Sequence, residues 1–149
     1  MHFACMLGRP FGIITVADGV VGPIERMAAH AGLDGRLAGV TVVDTPVLAL
    51  GDNPGETAAR ASTAGRDLVR QGATVLVLGC MRMAFLDLGP ALEAKLGVPV
   101  VNPVHAALAV AEGRARFGMR HSKTAYPVPR KVASGSRLSG LLGGQGVTR

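Results

Sequence analysis

Short unbroken runs of aliphatic and β-branched residues, each followed by a stretch with helical spacing, constrain this chain more than any other feature. Phe11 to Val16, Leu37 to Val43, Ala73 to Leu78 and Val98 to Val101 read as four strands. The first and third lack the apolar–polar alternation of a strand with one wet face, so they read as central strands covered on both faces. Between them lie candidate helices, one starting at Pro23 and stopped by Gly32, one opened by Asp52-Asn53-Pro54 and running to about Gln71, and one over Leu86 to Leu96 closed by Gly97. Proline at a helix start and glycine just past its end are the expected punctuation. Asn102-Pro103 opens a last helix ending near Phe117. Strands that alternate with helices imply right-handed crossovers, hence an α/β fold, a three-layer sandwich on a mainly parallel four-stranded sheet.

A length of 149 residues with 48% hydrophobic composition fits one domain, and a second full domain does not fit. The organisation expected is a helix stub over 1–7, an α/β domain over 8–102, a helix over 103–118 and a basic, disordered tail over 119–149, rich in glycine and proline. The formal charge of +6 suggests a nucleic-acid binder, but its distribution argues otherwise. Met1 to Glu112 carry 8 basic and 10 acidic residues, whereas Gly113 to Arg149 carry 8 basic and none acidic. Five aromatic residues spread over the whole chain make no stacking platform, so nucleic acid is not an expected partner beyond salt-sensitive association of the tail.

The apolar start lacks a basic leading region and reaches glycine at position 8, which does not match a signal peptide. No apolar run approaches the ~18 residues of a membrane span. Two cysteines are too few for a disulfide framework, and no Cys/His cluster has zinc spacing. The expectation is a cytoplasmic protein without membrane partner, metal or cofactor.

In open parallel sheets, ligands bind outside the carboxyl ends of the strands. Cys80 follows the third strand directly, where helix-start amides would lower its thiol pKa and make it a base or nucleophile; its ordinary alternative is a small buried core thiol. Arg82, two residues on, reads either as a bidentate clamp for a substrate carboxylate or as a solvated surface cation. Thr15, closing the first strand, offers a hydroxyl to an anionic ligand or to its own backbone. His105 starts the last helix and reads as an acid or base, or as a surface imidazole. Cys5 precedes the first strand, which puts it at the wrong end of the sheet to share a substrate with Cys80.

Four ordered stretches, Gly8-Arg9-Pro10-Phe11-Gly12-Ile13-Ile14-Thr15, Val77-Leu78-Gly79-Cys80-Met81-Arg82-Met83-Ala84, Gly97-Val98-Pro99-Val100-Val101-Asn102-Pro103-Val104 and His121-Ser122-Lys123-Thr124-Ala125-Tyr126-Pro127, resemble the hydantoin-racemase branch of the aspartate/glutamate racemase superfamily. The resemblance implies a cofactor-independent racemase or epimerase acting on a small carbon acid, a hydantoin or amino-acid derivative. One cysteine thiolate removes the proton α to a carbonyl or carboxylate, and a second thiol returns a proton from the other face. Cys80 matches the second of these cysteines, the backbone amides of Met81 and Arg82 would hold the developing enolate, and Thr15 would border the pocket. The family fold has two similar α/β halves, and this sequence resembles the C-terminal one. The resemblance therefore implies one half of the two-domain racemase fold, a truncated product, weak or inactive alone unless two copies pair as a homo-oligomer. Arg82 departs from the small residue usual at its position. The alternative is a basic-tailed scaffold or binding module without catalysis.

Overall fold

The computed structural model describes residues 1–127. It forms two units, Met1–Ala111 and Glu112–Arg149. The first is an α/β layer structure. Its elements run α1 (His2–Leu7), β1 (Phe11–Thr15), α2 (Val21–His30), β2 (Leu37–Val42), α3 (Pro54–Arg70), β3 (Val75–Leu78), α4 (Met81–Phe85), α5 (Gly89–Leu96), β4 (Val100–Val101) and α6 (Pro103–Arg116), whose last turn enters the second unit.

All strand pairings are parallel, in the order β2-β1-β3-β4. The two central strands are buried along their whole length, as their unbroken apolar runs require. Two apolar clusters fill the two faces. On one, Ile14, Leu76 and Leu78 meet Ala61, Ala64 and Leu68 of α3 and Leu92 of α5. On the other, Phe11, Ile13, Val75 and Val77 meet Ala4 of α1 and Ala28 of α2. Each fully buried aliphatic side chain here contributes roughly 1.5–3 kcal/mol, which holds the helices on the sheet against their conformational entropy.

Local chemistry fixes the ends of α3. The Asn53 side chain accepts from Glu56 N at 3.1 Å, and Pro54 takes the first helical position. Thr57 Oγ1 donates to Leu50 O at 2.9 Å, tying the preceding 3-10 turn, Val47–Gly51, onto the helix. The helix expected over Leu86 to Leu96 starts later, at Gly89, because Asp87 adopts φ 48°; ahead of it stands a separate short helix, α4, that the sequence did not announce.

Both sheet edges are irregular. On β2 the register jumps so that Phe11 faces Leu37 while Gly12 faces Gly39, leaving Ala38 without a partner. On β4, only two residues long, Val100 N donates to Glu93 Oε1 at 2.7 Å.

In the second unit, Met119 N donates to Arg114 O at 2.9 Å with Gly118 at φ 64°, closing the end of α6, and Tyr126 N donates to Ser122 O at 2.9 Å. The tail expected over 119–149 lies, from residue 128 on, outside the described residues. Among the described residues, no helix is long and apolar enough to cross a membrane, and no group of three or more His, Cys, Asp and Glu could hold a metal ion.

Candidate active site

Strand β1 lies between β2 and β3, so the chain leaves it toward one neighbour and returns on the other side. In open parallel sheets such a reversal marks where ligands bind, and here it falls at the carboxyl ends of β1 and β3, where Thr15 and Gly79-Cys80 emerge. Gly79 N donates to Ile14 O at 2.7 Å, which keeps the chain bonded to β1 one residue beyond β3. A Cβ at position 79 would stand 2.7 Å from Ile13 Cγ2, 3.0 Å from Ile14 O and 3.5 Å from Thr15 Cβ, so only glycine lets the two strands leave the sheet this close together.

Cys80 is the residue that caps α4. Its backbone is extended (φ −127°, ψ 127°), and its carbonyl accepts from Ala84 N at 3.1 Å. It is a free, half-buried thiol whose side chain rests on the cluster that includes Val16, Leu50 and Met83. The N–H groups of Met81 and Arg82 open the helix, where no intrahelical acceptor exists. The Met81 side chain is exposed, and that of Arg82 reaches the 3-10 turn at Gly51.

Thr15 sits elsewhere. By strand alternation it shares the β1 face of Phe11 and Ile13, opposite the face on which Cys80 packs. It is 1% exposed, its carbonyl accepts from Val43 N at 2.9 Å, and its Oγ1 has no hydrogen-bond partner. The structure therefore places Cys80, Met81 and Arg82 together at the start of α4 and keeps Thr15 buried in β1 on the other face of the sheet. Cys5 lies in α1, packed at the other end of the sheet, where Gly8 meets Thr74 just ahead of β3. His105 is exposed in the first turn of α6 and lines a cleft of about 160 Å³ with Asp87, Glu93 and Asn102.

Two residues of this edge carry roles that sequence reasoning missed. Asn102, 5% exposed, donates through Nδ2 to Ala84 O at 2.9 Å and accepts from Val104 N at 2.9 Å, which fastens the end of α4 to the start of α6. Its only signal was a polar residue between an apolar strand and a proline. Asp44 holds φ 48° after β2, and its carbonyl accepts from Arg60 Nη1 at 3.3 Å. It borders clefts of about 320 Å³, with Val16 and Asp18, and about 250 Å³, with Asp52 and Glu56.

Sequence and structure comparisons bear on what such an edge does. The family model described as Asp/Glu/Hydantoin racemase matches residues 1–111. The hydantoin racemase of Rhizobium meliloti is 33% identical over 142 residues, covering 93% of this chain and 58% of that protein. The hydantoin racemase of Paenarthrobacter aurescens is 29% identical over 124 residues, covering 83% and 52%. Among solved structures, the allantoin racemase of Pseudomonas fluorescens superposes with a TM-score of 0.76 at 33% identity, over 87% of this chain and 55% of that one. That of Klebsiella pneumoniae gives 0.74 at 30% identity, over 82% and 49%. The chain spans about half the length of the curated relatives it matches.

Proposed function

The chain belongs to the Asp/Glu/hydantoin racemase family, and from that premise we propose that it exchanges the proton of a carbon acid α to a carbonyl or carboxylate, in a hydantoin or amino-acid derivative, through the thiol of Cys80. The observation that carries this reading is a free, half-buried thiol just past the carboxyl end of β3, at the head of a helix. As thiolate, Cys80 Sγ takes the α-proton, and the C–H electron pair moves into the adjacent carbonyl to give an enolate. The N–H groups of Met81 and Arg82, unpaired at the start of α4, donate to that oxygen as charge develops. Collapse of the enolate takes a proton back from the thiol. Every proton and electron is accounted for by the side chain and the substrate, so the scheme asks for no cofactor. Thr15, buried on the opposite face of the sheet, contributes to the site only through the backbone of β1.

Inversion of the stereocentre needs a second acid on the far face of the planar enolate. In this reading two copies pair about a two-fold axis so that two Cys80 thiols face one substrate; a monomer by light scattering removes that part of the proposal. A reducing, cytoplasmic setting belongs to it, because the thiol must stay unoxidised.

The test is exchange of the α-proton of hydantoins in deuterated water, followed by proton NMR. The wild-type chain should exchange it, and Cys80→Ala should lose about 100-fold or more of the rate. Equal exchange by both removes Cys80 from the mechanism.

A further inference from the structure

The second unit carries a surface that the chemistry proposed above leaves unused. From Gly113 to Arg149 the chain holds no acidic residue, and four of its cations there, Arg114, Arg116, Arg120 and Lys123, are exposed. Arg114 and Arg116 end α6, where a positive charge meets the negative end of the helix. That accounts for those two but not for Arg120 and Lys123, which lie beyond the helix.

Large apolar side chains alternate with these cations along the chain. Phe117 is 75%, Met119 55% and Tyr126 67% exposed. The way α6 ends explains why Met119 is open. Gly118 N donates to Ala115 O at 3.3 Å and Met119 N to Arg114 O at 2.9 Å, with Gly118 at φ 64°. In such an ending the residue after the glycine usually packs on an apolar side chain of the last turn. Here that place is taken by Arg114, and Met119 stays in water. Further on, Tyr126 N donates to Ser122 O at 2.9 Å and Ala125 N to Ser122 Oγ at 3.3 Å, closing a turn that holds His121 edge-on to the Tyr126 ring with centroids 6.0 Å apart. Successive hydrogen-bonded turns thus keep the cations and the apolar side chains within one short folded segment.

Cations with apolar side chains set between them match the boundary of an anionic bilayer, where headgroup charge meets acyl chain. A nucleic-acid strand would suit the cations, but its bases stack on successive aromatic faces, and here Phe117 and Tyr126 belong to separate turns with Met119 between them. We propose that the segment from Arg114 to Tyr126 is a peripheral docking surface for membranes rich in anionic lipid. The four cations meet the headgroups, and Phe117, Met119 and Tyr126 reach the acyl boundary.

The chain has one tyrosine and no tryptophan, so its tyrosine emission reports on Tyr126 alone. The full chain is mixed with phosphatidylcholine vesicles, with or without about one-third phosphatidylserine, and binding is read by sedimentation. It should sediment with the anionic vesicles only and be released as salt rises from about 0.1 to about 1 M. Phosphatidylserine brominated on its acyl chains should quench the Tyr126 emission. Arg114→Gln, Arg116→Gln, Arg120→Gln and Lys123→Gln together should weaken binding about 100-fold, and Phe117→Ser with Met119→Ser about tenfold. Glutamine at the four remaining cations, Arg130, Lys131, Arg137 and Arg149, should leave the quenching in place. No binding, equal binding to both vesicles, binding without quenching, or binding that survives glutamine at the first four positions overturns the proposal. So does tighter binding of a single-stranded RNA oligonucleotide than of the anionic vesicles, indifferent to Phe117→Ser and Met119→Ser.

Discussion

Replacing Thr15 by valine should make the protein more stable. The hydroxyl is buried in the central strand with Oγ1 unpartnered, and the side chain as a whole is 1% exposed. An unsatisfied buried hydroxyl costs about 1–3 kcal/mol in desolvation that no hydrogen bond returns. Valine has nearly the same shape, favours the strand, and leaves the backbone bond from Val43 N to Thr15 O in place. Taking the lower end of the range, because a hydroxyl rotor relaxes more easily than a fixed dipole, the gain is about 1 kcal/mol. For a domain of this size that is a rise in Tm of about 3–4 °C. Thermal unfolding followed by circular dichroism measures it, and urea unfolding with an unchanged slope checks that the gain lies in the folded state. A Tm that stays level or falls refutes the reasoning, since it means that the hydroxyl has a partner in solution. If the site uses this hydroxyl, the same variant should lose α-proton exchange while gaining stability, the trade expected where a strained group is kept for function.

Gly79→Ala should destabilise by about 1–3 kcal/mol, because its Cβ would meet the backbone of β1 at Ile14 O, which cannot move aside; urea unfolding measures this, and a neutral result would show that β1 and β3 part more readily than their bond implies. Asn102→Ala should cost about 2 kcal/mol and speed amide exchange in α4, since Ala84 O and Val104 N lose their partner. Asn53→Ala, which removes the cap on Glu56 N, should cost about 1 kcal/mol and fray the first turn of α3.

The strands were legible because a buried parallel strand has no alternative but a continuous apolar run, and Phe11 to Thr15 and Val75 to Leu78 are such runs. The last strand is shorter than its apolar pattern because Pro99 lacks an N–H, although its carbonyl still accepts from Leu76 N at 2.9 Å. The start of α5 was misplaced because Leu86 and Leu88 continue its apolar spacing back across Asp87, whose φ of 48° excludes it from the helix. Within the site, the position of Cys80 follows from the strand-to-helix boundary. The isolation of the Thr15 hydroxyl, the anchoring role of Asn102 and the seat of Arg82 on Gly51 do not, because each depends on segments that only the folded sheet brings together.

The two outer strands carry a further consequence. A parallel sheet that ends in a straight, unpaired strand is a template on which further chains can crystallise one after another. Here the rim is spoiled twice, by the extra residue Ala38 that throws β2 out of step and by the Glu93 carboxylate that already occupies the amide of Val100. Growth by strand addition therefore has no regular surface to start from, and crowding during synthesis should favour closed contacts between side chains over open-ended fibres.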